Sequence, residues 1–76
     1  MVIGITMVNV ELGKEKDVYN EIKKIENVRE VIHVFGEFDF VVIIKADDLS
    51  ELNRTVDRIR SLKGVVKTQT VIGAEI

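Results

Sequence analysis

β-Branched side chains dominate the first ten residues, and Val2–Val10 (VIGITMVNV) predicts a strand. Charge and Gly13 then break the apolar run over Glu11–Glu15, which reads as a loop. Beyond it the apolar period lengthens. Val18, Ile22 and Ile25 fall at i, i+4 and i+7, one stripe of an amphipathic helix, with Tyr19 beside the stripe and Asn27 as its stop. Val28–Phe35 (VREVIHVF) and Phe40–Ala46 (FVVIIKA) return to strand character, with a tight hairpin between them. Asp47 and Asp48 precede a second helix, where acids satisfy free backbone N–H groups and suit the helix dipole. Its stripe is Leu49, Leu52, Val56 and Ile59, continued by Leu62, and Gly64 is its expected C-cap. Val65–Ile72 (VVKTQTVI) is the last strand, ended by Gly73.

The second half of this order repeats the first. A shift of about 37 positions carries Ile22 onto Ile59, Ile25 onto Leu62, Val28 onto Val65 and Gly36 onto Gly73. Two βαβ halves joined by a hairpin predict an α+β fold, a ferredoxin-like βαββαβ sandwich with a four-stranded antiparallel sheet. Right-handed crossovers put both helices on one face of that sheet, with the first and third strands central. In the first strand Ile3, Ile5 and Met7 point one way, and Val2, Val8 and Val10, with Gly4 and Thr6, the other. In the third, Phe40, Val42 and Ile44 oppose Val41 and Ile43. Both faces are apolar, yet two helices cover only one. A contiguous uncovered apolar patch marks an interface, so this face is expected to pack on a second copy as a symmetric dimer. Val8 and Val41 are the positions at which an Asp is expected to break it.

Length strengthens that expectation. The 76 residues make one small domain, 1–76. So small a fold buries only about 60% of its unfolded surface and needs disulfides, a metal or oligomerisation. Cysteine is absent and His33 is the single histidine, so thiolate sites and histidine clusters are excluded. The net charge of −2, with both signs interspersed, lacks the concentrated basic surface of a nucleic-acid binder. No apolar run approaches the roughly 20 residues of a membrane span and no signal peptide is visible, so a cytoplasmic protein without a membrane partner is expected. Abundant Lys, Glu, Val and Ile with no Pro suggests a thermophilic source.

Little in the chain carries chemistry. There is no phosphate-binding glycine loop and no Gly-x-Ser-x-Gly elbow, and no cofactor is implied. Ser50 and Ser61 lie near helix ends, where capping accounts for them. His33 has no nucleophile or metal partner at a defined spacing, so the chain is read as a non-enzyme. An enzymatic alternative requires His33 to line an enclosed cavity between helices and sheet. RNA-binding domains of this element order stack bases on aromatics of the central strands, but the first strand here has none and the third only Phe40.

What remains is Gly36-Glu37-Phe38-Asp39. A glycine adopts positive φ and leaves its N–H open, and a turn of successive N–H groups can cradle a carboxylate. Asp39 offers the opposite charge to an ammonium, so the turn could hold a free α-amino acid. Alternatively Gly36 and Asp39 are turn formers and nothing more. Phe38 is expected to leave the turn toward a neighbouring dimer while Phe40 enters the core. Asp39→Ala is expected to remove binding with the fold intact, and Gly36→Val to damage both.

The run Val31-Ile32-His33-Val34-Phe35-Gly36-Glu37-Phe38-Asp39-Phe40 resembles the V-x-x-x-x-G-x-F-D-F signature of the Lrp/AsnC (feast/famine) transcriptional regulators, in their C-terminal effector or RAM domain. The resemblance covers nearly the whole chain. It implies a dimeric α/β-barrel type of fold that dimerises through its sheets, with dimers assembled into rings and a free amino acid bound between dimers. It implies ligand roles for Gly36, Glu37, Phe38 and Asp39, and for Thr68 and Thr70 on the last strand. Such regulators carry an N-terminal helix-turn-helix domain, whereas here Met1 leads directly into the first strand. The expected protein is a stand-alone amino-acid-sensing and oligomerisation module. It would act on transcription through association with full-length relatives. The alternatives are a small dimeric α/β-barrel enzyme using His33 and a ligand-free oligomerisation domain. Duplex DNA should stay unretarded by the chain in a gel shift at physiological salt; sub-micromolar, salt-sensitive retardation would reject this.

Overall fold

The computed structural model describes residues Met1–Gly73. The elements follow the expected order: β1 (Val2–Val10), α1 (Glu15–Lys23), β2 (Val28–His33), β3 (Phe40–Ala46), α2 (Leu49–Arg60) and β4 (Val65–Gly73). They form one sheet in the order β2-β3-β1-β4, antiparallel throughout, so β1 and β3 are central.

The core lies between the sheet and the two helices. Val8 from β1 and Phe40, Val42 and Ile44 from β3 meet Val18 and Ile22 of α1 and Leu52 and Ile59 of α2, all essentially inaccessible. Gly4 lets α2 settle on β1: a Cβ there would stand 2.6 Å from Leu52 Cδ1, an overlap that only a shift of the helix side chain could relieve. Two polar side chains, Thr6 and Thr55, are also buried, and both are satisfied. Thr6 Oγ1 lies 2.9 Å from Thr70 Oγ1. Thr55 Oγ1 donates to Glu51 O at 3.0 Å and accepts from Asn27 Nδ2 at 3.3 Å. Ion pairs such as Lys24–Glu21 are exposed and local to one helix, so they contribute little.

The internal repeat is visible in the backbone. Asn27 (φ +77°) and Gly64 (φ +99°) occupy equivalent positions, each reversing the chain between a helix and the strand that follows. Each of their carbonyls accepts from a strand of the other half or its end: Lys45 N on Asn27 O at 2.9 Å, Glu11 N on Gly64 O at 2.8 Å. The halves differ in helix length, with 9 residues in α1 against 12 in α2.

Asp48 caps α2 as expected, its Oδ1 accepting from Glu51 N at 2.8 Å. Four expectations are corrected. The C-cap of α2 is Ser61, in right-handed helical conformation, and Gly64 instead forms the turn into β4. Leu49 begins the stripe of α2 but is half exposed, at the first residue of the helix. β2 stops at His33, short of Val34 and Phe35, because the chain bends toward Gly36. Val8 is not on the uncovered face: it pairs with Phe40, and Met7 pairs with Val41, so Val8 and Val41 point to opposite sides of the sheet.

The face away from the helices carries Ile3, Ile5 and Met7 of β1, Val41 and Ile43 of β3, Ile32 of β2 and Val71 of β4. Ile3 and Ile32 are each 40% exposed and Val71 50%. The corrected faces separate two outcomes. Val8→Asp buries a charge beneath the helices and should unfold the chain at a cost of several kcal/mol. Val41→Asp should keep the folded circular-dichroism spectrum and reduce the mass by light scattering to that of a monomer; an unmodified protein already monomeric at micromolar concentration would reject the sheet-face dimer.

Candidate ligand-binding turn

Val34–Asp39 joins β2 to β3, six residues rather than a two-residue hairpin loop. Gly36 has φ +122°, a conformation that side chains resist, and a Cβ there would meet nothing within 4 Å. The glycine is therefore required by the backbone and not by crowding, and its surroundings are open. Glu37 is exposed beside it.

Asp39 is tied to β1 and to the other end of its own turn. Its N–H donates to Val8 O at 2.9 Å and its carbonyl accepts from Val34 N at 2.9 Å. Its carboxylate Oδ2 accepts from Val10 N at 2.8 Å. The side chain therefore holds the end of β1, leaving Oδ1 without a donor among the described residues. Phe40 is 2% exposed in the core, as expected. Phe38 is half-buried and stands outside that core. Sequence reasoning missed Phe35, which is 93% exposed at the start of the turn. Its signal was its place directly before Gly36, where strand alternation no longer applies.

Thr68 and Thr70 lie on β4, the opposite edge of the sheet from β2, with β1 between them and the turn: Thr68 pairs with Val8 and Thr70 with Thr6. Both line a cleft of about 560 Å³ between α2 and β4, together with Val56, Arg60, Val65, Val66 and Lys67. No residue of the turn reaches it. Within one chain the sequence-derived site residues thus form two groups, not one pocket.

His33 is exposed and stacked between Phe35 and Phe40, with ring centroids 5.4 and 5.1 Å away. It lines an open groove of about 370 Å³ between α1 and β2, not the enclosed cavity an enzymatic role requires. Among the described residues no cluster of His, Asp or Glu could hold a metal ion, and no helix is long and apolar enough to cross a membrane.

Residues 3–75 match the family model described as the Lrp/AsnC ligand binding domain. The HTH-type transcriptional regulator LysM of Saccharolobus solfataricus is 38% identical over 56 residues, 74% of this chain and 39% of the regulator. The chain thus spans less than half the length of that curated relative. A homocitrate synthase of Sulfolobus acidocaldarius is 46% identical over 46 residues, 60% of this chain and 10% of the enzyme. Among solved structures, TTHA0845 from Thermus thermophilus superimposes with a TM-score of 0.94 at 26% identity, covering 100% of this chain and 96% of that one.

The tie to Val10 changes what mutation of the turn measures. Asp39→Ala strands the Val10 N–H and should lower the unfolding free energy by about 1–2 kcal/mol in denaturant titrations. Asp39→Asn keeps an acceptor and should lose less than half as much. Equal losses would show that the carboxylate does not hold β1.

Proposed function

The chain belongs to the Lrp/AsnC family of ligand-binding domains, and from that premise we propose that it is a regulatory module sensing a free α-amino acid at the Gly36–Asp39 turn. The observation that supports this reading is an Asp39 Oδ1 without a donor among the described residues, in the same turn as the unobstructed backbone of Gly36. Oδ1 takes the ligand's ammonium, and the open N–H groups of the turn take its carboxylate. Glu37 and Phe38 flank the ligand. Thr68 and Thr70 lie across β1 from the turn, so they join the site only as contributions from a neighbouring copy.

Assembly follows the same logic. The apolar sheet face packs on a second copy, and dimers meet at their turns, which completes the site between them. The module works in the cytoplasm, without catalysis and without touching DNA. It acts on transcription by joining assemblies of full-length Lrp/AsnC-type regulators. The homocitrate synthase match favours a second reading, in which the same kind of module reports to an enzyme. Association measured separately with a full-length regulator and with an enzyme carrying the module distinguishes the two.

Isothermal titration against the common amino acids tests the site. One class should bind saturably, and Asp39→Asn, which removes the charge and keeps an acceptor for Val10, should weaken it roughly tenfold or more. Phe38→Ala should weaken it with no change in the denaturation midpoint. Unchanged affinity in Asp39→Asn would place the ligand elsewhere.

A further inference from the structure

The two edges of the sheet carry clefts at helix–strand corners, and the internal repeat relates part of their linings. The same shift of about 37 positions carries three residues of the α1/β2 cleft onto residues of the α2/β4 cleft: Tyr19 onto Val56, Val31 onto Thr68 and His33 onto Thr70. The second half closes its corner with the Thr6–Thr70 hydrogen bond. In the first half His33 pairs with Phe40, a position that the repeat relates to Ile3, and Phe40 meets Tyr19 with ring centroids 5.9 Å apart. The other half has valine and threonine where the first has Tyr19 and His33, so the fold alone does not call for these two rings.

That wall bounds the α1/β2 cleft of about 370 Å³, at the small end of the roughly 300–1,000 Å³ typical of small-molecule sites. Tyr19, Val31, His33 and Phe40 supply an apolar floor, and Glu15 and Lys16 bring opposite charges to the same cleft. Glu15 is held in place: its Oε1 accepts from Gly13 N at 2.8 Å, which leaves Oε2 for a ligand. Lys16 is exposed and takes part in no ion pair among the described residues. Adjacent opposite charges over an aromatic floor complement a zwitterion with a flat side chain.

We propose that the α1/β2 cleft is a second ligand site, complete within one chain, for a free α-amino acid with an aromatic side chain. Glu15 takes the ammonium, Lys16 takes the carboxylate, and the ring packs on Tyr19, His33 and Phe40. This goes beyond the turn reading and does not rest on it.

The chain has one tyrosine, one histidine and no tryptophan, so the His33 imidazole resonances report on this cleft, and Tyr19 emission on it and on the adjoining groove beside Lys23. Titration with L-phenylalanine should shift both saturably, with the same midpoint across a hundredfold protein dilution, since no second chain takes part. Phenethylamine and 3-phenylpropanoate, each lacking one charge, should bind roughly tenfold more weakly. Glu15→Gln, which keeps the acceptor for Gly13, and Lys16→Gln should cause similar losses. Tyr19→Val with His33→Thr installs the residues of the other half; it should stay folded and show no calorimetric binding at this cleft. A flat Tyr19 signal, or a response untouched by Glu15→Gln, would overturn the proposal. A response that vanishes on dilution, or that is lost in Asp39→Asn but kept in Glu15→Gln, would move the ligand to the turn and overturn it too.

Discussion

Two helices can cover one face of a four-stranded sheet, and the rest of the molecule is arranged around that limit. β1 and β3 alternate apolar side chains to both faces, so the helices bury Val8, Phe40, Val42 and Ile44 and leave Ile3, Ile5, Met7, Val41 and Ile43 without cover. That second face keeps Ile3, Ile32 and Val71 substantially exposed. Within one chain, clefts form at the helix–strand edges and as an open hollow on the uncovered face lined by Ile3, Arg29, Ile43 and Lys45. The turn between β2 and β3 projects from the end of the sheet, where neither helix shields it.

Much of this was legible in the sequence because it is local. The period of Val18 and Ile22, the cap at Asp48, and the need for positive φ at Gly36 each depend on residues close together in the chain. The repeat added the topology, since two βαβ halves with right-handed crossovers leave few arrangements. The assignment of Val8 failed for a different reason. Alternation sets which residues of one strand share a face, but the register between β1 and β3 sets which faces coincide, and that pairing is a long-range fact. Gly64 misled because a glycine after a helix serves equally as cap or as turn; the short connection after Ser61 decided it.

The turn could be read only in part. Gly36 behaves as its type requires. The commitment of Asp39 to Val10 spans 29 positions along the chain and has no sequence signal. It also narrows the chemistry: with Oδ2 occupied, the carboxylate offers one oxygen. That suits a compact ammonium better than a planar guanidinium, which binds best with both. The division of Thr68 and Thr70 from the turn, by contrast, follows from the expected topology, in which β1 lies between β3 and β4.

The paired turns at Asn27 and Gly64 bear on how the chain folds. Each carbonyl is closed by an N–H from the opposite half, Lys45 on Asn27 and Glu11 on Gly64. Neither βαβ half therefore completes its own crossover, and β1 lacks both sheet neighbours until β3 and β4 arrive. A half-repeat is not a foldon, and opening one half removes bonds from the other. Severed at the β2–β3 turn, the halves would have to find each other before either could close these bonds.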